Sequence, residues 1–322
     1  MIKTDCNSAQ LLDSAREGKI TYLDATNSAL YQDDSLDSAI EIALEGCTVN
    51  PDTRIIQRLG ELYVFSGQSF QARAIFSRLQ VMGCNMKSTN LIYTGIDSVR
   101  AIVDDDVGLF YVPIPKCGSS TIKNYITLAK YGKEYSGRVH NHHREMYRTV
   151  PVTDIAHYYS DYTFVCVIRD PIERLESFFR RNISQGGLKR ETKGLDSFMN
   201  LTTQPSAENI ANNFLLYRQN FRTFRAHTDR YYDLICGNRK LLKSITLLDT
   251  ASTTTRDTIG QLYGTEIPDK KSQVSVRSSE DNQSFRDTLA TREITSWYAD
   301  DIKIYSRKKK LSTDSTEIPN PV

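Results

Sequence analysis

The stretch FYVPIPKCGSSTIKNYI, residues 110–126, decides how most of this chain is read. Phe110 to Ile114 is an apolar run of strand length, Pro115, Lys116 and Gly118 make a turn, and Ser119, Ser120 and Thr121 stand where a helix begins. A helix start presents unpaired backbone N–H groups and a partial positive charge, so strand, glycine turn and helix in that order build an anion site. The nucleotide-kinase loop reads G-x-x-x-x-G-K-[ST], with its lysine beside a Ser or Thr that binds magnesium. Here Lys116 comes two residues before Gly118, and no such metal-ligand pattern follows. The loop is expected to hold a dianionic phosphate without magnesium, with Lys116 as a fixed positive charge near a leaving group.

Working outward, DVGLFYVPI reads as a buried strand, SSTIKNYITLAKYG as a helix, YTFVCVIRD as a second buried strand and PIERLESFFRRNIS as a second helix. Continuous apolar strands followed by helices predict an α/β fold, a P-loop-like parallel sheet flanked by helices. Further helices are expected at ENIANNFLLYRQNFRTFRAH and TREITSWYADDIKIYSR. The polar stretch Thr265 to Ser284 reads as a long loop of the kind used as a lid or binding loop, and the tail from Arg307 as solvated and disordered.

Upstream lies a small all-α helical-hairpin region. In TRIIQRLGELYVFSGQSFQARAIFSRLQVMGC, residues 53–84, Leu59-Gly60, Tyr63, Ala72 and Phe76 have the spacing of a tetratricopeptide hairpin, with Gly67 in the turn. Gly60 and Ala72 are small because helices cross closely there. Ala39 and Ala43 stand roughly 33 residues earlier, as a second and degenerate copy that ends at Pro51. About three repeats are needed for a stable solenoid. The pair is therefore expected to dock on the rest of the chain, on a protein partner or on a second copy. Ordinary amphipathic hairpins with coincident spacing are the alternative. The expected division is a tetratricopeptide-like region at 1–100, a catalytic domain at 101–308 and a disordered tail at 309–322.

The bulk numbers exclude several classes. Lysines and arginines (41) nearly balance aspartates and glutamates (39), so electrostatic specificity has to be local. No helix-turn-helix or zinc-finger pattern is present, and no nucleic acid is expected as a partner. The six cysteines are widely separated, with no CxxC pair, and read as reduced thiols. The amino-terminal stretch MIKTDCNSAQLLDSAREGK has no apolar core of a signal sequence, and no apolar run approaches the roughly 20 residues of a membrane span. A cytoplasmic location is expected.

IPKCGSSTIK resembles the 5′-phosphosulfate loop of sulfotransferases, above all the carbohydrate sulfotransferases and their bacterial relatives, whose loops carry P-K-x-G-x-[ST]-x. VCVIRDPIERLESFFRR, from Val165 to Arg181, resembles the same family's 3′-phosphate motif, R-D-P-x-x-R-L-x-S. The resemblance runs from about Val107 to Arg307. It implies binding of 3′-phosphoadenosine 5′-phosphosulfate (PAPS) without a metal. Lys116, Cys117, Gly118, Ser119, Ser120 and Thr121 would hold the 5′ end, and Arg169 and Ser177 the 3′-phosphate. A planar guanidinium offers two parallel donors to phosphate oxygens, which suits that role. Asp170 and Pro171 fit the cap and first turn of the following helix. Tyr298, Asp301 and Tyr305 resemble the family's closing helix and are expected to support packing. The family's histidine- and glutamine-bearing helix is matched only by Gln219.

Sulfuryl transfer to an alcohol needs a group to take the hydroxyl proton, and histidine is suited to this near neutral pH. Related enzymes place an H-x-H element after the phosphosulfate helix. In RVHNHHREMYR, it maps onto His140 and His142, with His142 as the base. His143 stands beside them; a metal site and a merely solvated polar loop are the other readings of this cluster. Arg180, Arg181, Lys189, Arg190 and Lys193 either guide an anionic acceptor or form a solvated face. Together these features predict a sulfotransferase acting on a hydroxyl-bearing acceptor, expected to be a glycan. A P-loop small-molecule kinase and a non-catalytic partner-binding scaffold are the alternatives.

Overall fold

The computed structural model describes residues 8–32, 35–82, 84, 98–133, 144–268 and 280–314. The chain begins with helices α1 (Ser8–Arg16), α2 (Tyr22–Tyr31), α3 (Leu36–Val49), α4 (Thr53–Phe65) and α5 (Ser69–Val81). There follow β1 (Ser98–Asp104), β2 (Leu109–Val112), α6 (Ser119–Tyr131), β3 (Tyr147–Pro151), α7 (Val152–Tyr158), β4 (Thr163–Ile168) and α8 (Pro171–Phe178). After a π-helical turn at Phe179–Ile183 come α9 (Gly187–Glu191), β5 (Ser197–Phe198), β6 (Leu201–Thr202), α10 (Ala207–Asn212), α11 (Phe214–Asn220) and α12 (Arg222–Thr228). The chain continues with α13 (Tyr231–Leu234), α14 (Arg239–Lys243), β7 (Ile245–Leu247), α15 (Leu248–Tyr263), α16 (Glu280–Leu289), α17 (Arg292–Trp297) and α18 (Ala299–Asp314).

These elements form two compact units that do not follow the linear order of the chain: Met1–Ile96 with Arg181–Ala226, and Asp97–Arg180 with His227–Val322. In the first, α4 and α5 form a hairpin whose turn holds Gly67 at φ 75°. A Cβ on Gly60 would lie 2.7 Å from the Phe76 ring, so the close crossing expected from the small residues is present. The later segment is knitted onto these helices by buried polar groups. Arg58 donates to the Tyr31 hydroxyl at 2.8 Å and pairs with Glu61 at 3.2 Å, and Arg222 approaches Glu61 at 3.5 Å. Gln219, the expected remnant of a family helix, donates to the carbonyl of Phe65 at 3.0 Å and so closes the end of α4. The predicted long helix over residues 208–227 is broken into α10, α11 and α12.

The second unit is built on a five-stranded sheet of order β3-β1-β2-β4-β7. β2, β4 and β7 are parallel, as the apolar strand runs predict, while β1 and β3 are added antiparallel at one edge. The turn between β1 and β2 is too short for a crossover, which forces the antiparallel pairing. Period-two alternation sends Phe110, Val112, Cys166 and Ile168 to one buried layer and Tyr111, Val165 and Val167 to the other. α6 covers the second layer with Ile122, Tyr125 and Ile126, joined by Ile259 of α15. Burial on both faces explains why these strands have no polar alternation.

Two expectations fail at the carboxyl-terminal side. Residues 280–284, read as loop, begin α16, and the basic run Arg307–Lys310 continues α18 to Asp314. Strongly charged sequence without an obvious apolar face suits a solvated helix as well as a tail. Among the described residues no helix is long and apolar enough to cross a membrane.

Candidate active site

Because β2, β4 and β7 run parallel, their carboxyl ends emerge together, with Val112 paired to Cys166 and Ile168 to Leu247. The loop 113–118, Arg169 and Leu248 therefore share one edge of the sheet, the place where open α/β sheets bind ligands. Lys116 and Gly118 both take left-handed backbone, at φ 65° and 73°. Gly118 has a second reason to be glycine: a Cβ there would lie 2.7 Å from Leu248 Cδ1. It is the cap of α6 and, being glycine, brings no side-chain cap of its own. The backbone amides expected to form the cradle, over Gly118 to Thr121, sit at this helix start.

Two arginines from the second motif turn toward this loop. Arg174 Nε donates to the Pro115 carbonyl at 3.0 Å, and Arg169 Nη1 reaches the Lys116 carbonyl at a long 3.5 Å. Asp170 caps α8 by accepting from the backbone N–H of Ile172 at 2.8 Å and of Glu173 at 3.1 Å, with Pro171 in the first turn as expected. This cap fixes the corner from which Arg169 projects. Arg169 Nη2 meets Glu173 at 3.2 Å, and Glu173 also pairs with Arg286 of α16 at 3.1 Å. Arg286 Nε and Arg180 Nε both hold Glu176, at 2.6 Å and 3.0 Å. Arg169 Nε is buried with no hydrogen-bond partner among the described residues. An orphaned buried guanidinium donor is costly unless a ligand completes it, so this corner fits an anion. Ser177 stands one helical turn beyond Glu173 on the same face of α8 and is half-buried.

The structure thus brings together Lys116 to Thr121 with Arg169, and places Ser177 farther along the same helix. Cys117 contributes backbone only: its side chain is 1% exposed and packs in the apolar core, where burial pushes the thiol pKa up and keeps it neutral. His140, His142 and His143 lie outside the described residues. Among the described residues no group of three or more His, Cys, Asp or Glu side chains is arranged to hold a metal. In the basic cluster Lys189 pairs with Asp196 at 2.5 Å and Arg180 with Glu176, so two of its charges are already locally engaged.

Beneath the loop sits a core the sequence did not reveal. Arg174 is fully buried, donates through Nη1 to the Asp229 carbonyl at 2.5 Å and stacks on Tyr231 at 5.0 Å. Tyr231 OH donates to the Arg169 carbonyl at 2.5 Å, and Asp301 accepts from the backbone N–H of Tyr231 at 2.7 Å and of Tyr232 at 3.2 Å. Burial raises the Asp301 pKa to about 6 despite those bonds. The packing role expected of the closing helix is visible here, and Tyr298 adds a bond to the Thr228 carbonyl at 3.0 Å. The arginine of R-D-P-x-x-R is a motif letter that carried a signal, whereas nothing local marks Tyr231.

A second pair of cations lies on the β1 side of α6. Lys123, 4% exposed, has its ammonium 5.3 Å from the centre of the Tyr147 ring, and the Arg100 guanidinium lies 4.6 Å from the same ring. Burial, and then the charge of Arg100, lower the Lys123 pKa from 10.5 to about 8. Between those values the unfolded chain binds more protons than the folded one, so stability rises with pH through that window. Relative to Lys123→Met, the wild type is expected to gain about 3 kcal/mol between pH 8 and pH 10.5. Paired urea titrations across that range measure the difference; a gap independent of pH contradicts it.

No curated protein and no solved structure matches the chain. The sulfotransferase family model matches residues 99–311, the span that contains the five-stranded sheet from Val99 onward, both strand-end loops and the buried core beneath them. Members of that family generally draw the sulfuryl group from PAPS. With two-thirds of its length matched and the two motif loops meeting at one sheet edge, the chain belongs to the sulfotransferase family.

Proposed function

We propose that the protein is a metal-independent sulfotransferase that uses PAPS and delivers the sulfuryl group to a hydroxyl of a carbohydrate acceptor. The observation that carries this reading is the meeting of Arg169 with the Lys116 carbonyl at 3.5 Å, with Arg169 Nε buried and unsatisfied beside it. The backbone amides from Gly118 to Thr121 hold the 5′-phosphate group, and Lys116 stabilises negative charge on the oxygen that leaves sulfur. Arg169, and Ser177 along its helix, bind the 3′-phosphate. The bound donor supplies an activated sulfuryl group, whose transfer forms a sulfur–oxygen bond to the acceptor and breaks the one to the 5′-phosphate. His142, with His140 before it, takes the acceptor's hydroxyl proton.

The test is a screen of glycan acceptors with sulfur-labelled PAPS in chelator, with His142→Ala run beside the wild type. Transfer by the wild type, with His142→Ala still binding nucleotide but failing to turn over, is expected. A His142→Ala protein with wild-type turnover removes the histidine base from the proposal. Selective binding of ATP with magnesium replaces the transferase by the kinase reading.

A further inference from the structure

We infer that Arg174 and Tyr231 form a buried ruler that sets the separation of the 5′-phosphate and 3′-phosphate sites; this rests on the nucleotide site proposed above. A fully buried guanidinium is an expensive way to fill space, and an apolar side chain of similar volume is often no less stable. What Arg174 supplies instead is direction. Its two engaged nitrogens grip the carbonyls of Pro115 and Asp229, segments far apart in the chain, and its face lies on the Tyr231 ring. By peptide planarity, a Pro115 carbonyl turned toward Arg174 turns the Lys116 N–H the opposite way. Arg174 thereby sets the left-handed Lys116, whose φ of 65° is unfavourable without an external hold.

Tyr231 does the corresponding work for the other motif. Its hydroxyl holds the Arg169 carbonyl at 2.5 Å, and Asp301 fixes its backbone through the N–H groups of residues 231 and 232. Arg174 and Tyr231 touch neither phosphate site with a side chain assigned to binding. They act as positioning residues, Arg174 for the Lys116 loop and Tyr231 for the Arg169 corner.

Three ligands separate the two effects: adenosine 3′,5′-bisphosphate, adenosine 5′-monophosphate and adenosine 3′-monophosphate, titrated by calorimetry into the full-length protein. Arg174→Met is expected to bind the bisphosphate and the 5′-monophosphate about tenfold more weakly, with the 3′-monophosphate unchanged. Tyr231→Phe, which keeps the ring, is expected to give the mirror image, a loss of about tenfold for the bisphosphate and the 3′-monophosphate only. Arg174→Lys restores part of the 5′ loss, because an ammonium reaches one of the two carbonyls; it also carries the test if Arg174→Met does not fold. A loss shared equally by all three ligands, or no loss in either variant, overturns the ruler while leaving the nucleotide site standing. Failure of the wild type to bind the bisphosphate removes the site itself, and the ruler with it.

Discussion

Lys116→Gly is expected to lower sulfuryl transfer by about 10² to 10³ while leaving the fold intact or slightly more stable. The two effects have separate causes. Lys116 sits at φ 65°, where an L-residue costs about 1–2 kcal/mol relative to right-handed backbone. Glycine takes that conformation without the penalty, so thermal unfolding of the variant shifts upward or stays level. The ammonium, in contrast, is the positive charge nearest the oxygen that leaves sulfur in the proposed reaction, and glycine provides nothing in its place. Strained backbone at a strand end, with its carbonyl approached by Arg169, suits the role proposed for Lys116. Labelled-donor turnover and a melting curve on the same preparation measure both. Wild-type transfer by Lys116→Gly contradicts the role assigned to the side chain.

Arg169→Ala is expected to weaken adenosine 3′,5′-bisphosphate by about 10²-fold and to leave adenosine 5′-monophosphate unchanged. Its guanidinium is mostly buried and already oriented by Glu173, so little ordering remains when a phosphate arrives. The fold survives the substitution, because Glu173 keeps its ion pair with Arg286 at 3.1 Å and is not left as an isolated buried charge. Competition between the two nucleotides measures the selectivity. Equal weakening of both locates the 3′-phosphate elsewhere.

The parts of the site that were legible in sequence are those with local causes. The apolar runs of β2 and β4, the Pro-Lys-x-Gly turn and the Asp170-Pro171 cap all announce themselves within a few residues, and each appears where expected. β1 and β3 were missed because SVRAIVD contains a charged residue and Tyr147–Pro151 buries little as an edge strand. Arg174 was visible as a motif letter but not as a clamp, since its acceptor carbonyls belong to Pro115 and Asp229, 59 and 55 residues away. Gln219 is the one match to the family's glutamine-bearing helix, and its amide donates to the Phe65 carbonyl, 154 residues earlier. Such pairings are set by the packing of distant segments, and no spacing rule encodes them. The assembly of Arg181–Ala226 with the amino-terminal helices is of the same kind.

The proposal that one nucleotide is held at both ends by loops from two neighbouring strands is tested most directly by calorimetry of adenosine 3′,5′-bisphosphate in chelator. One molecule is expected to bind per chain, more tightly than either monophosphate, with the advantage over the 5′-monophosphate lost in Arg169→Ala. Binding that requires magnesium, or a bisphosphate held no better than the 5′-monophosphate, would contradict it.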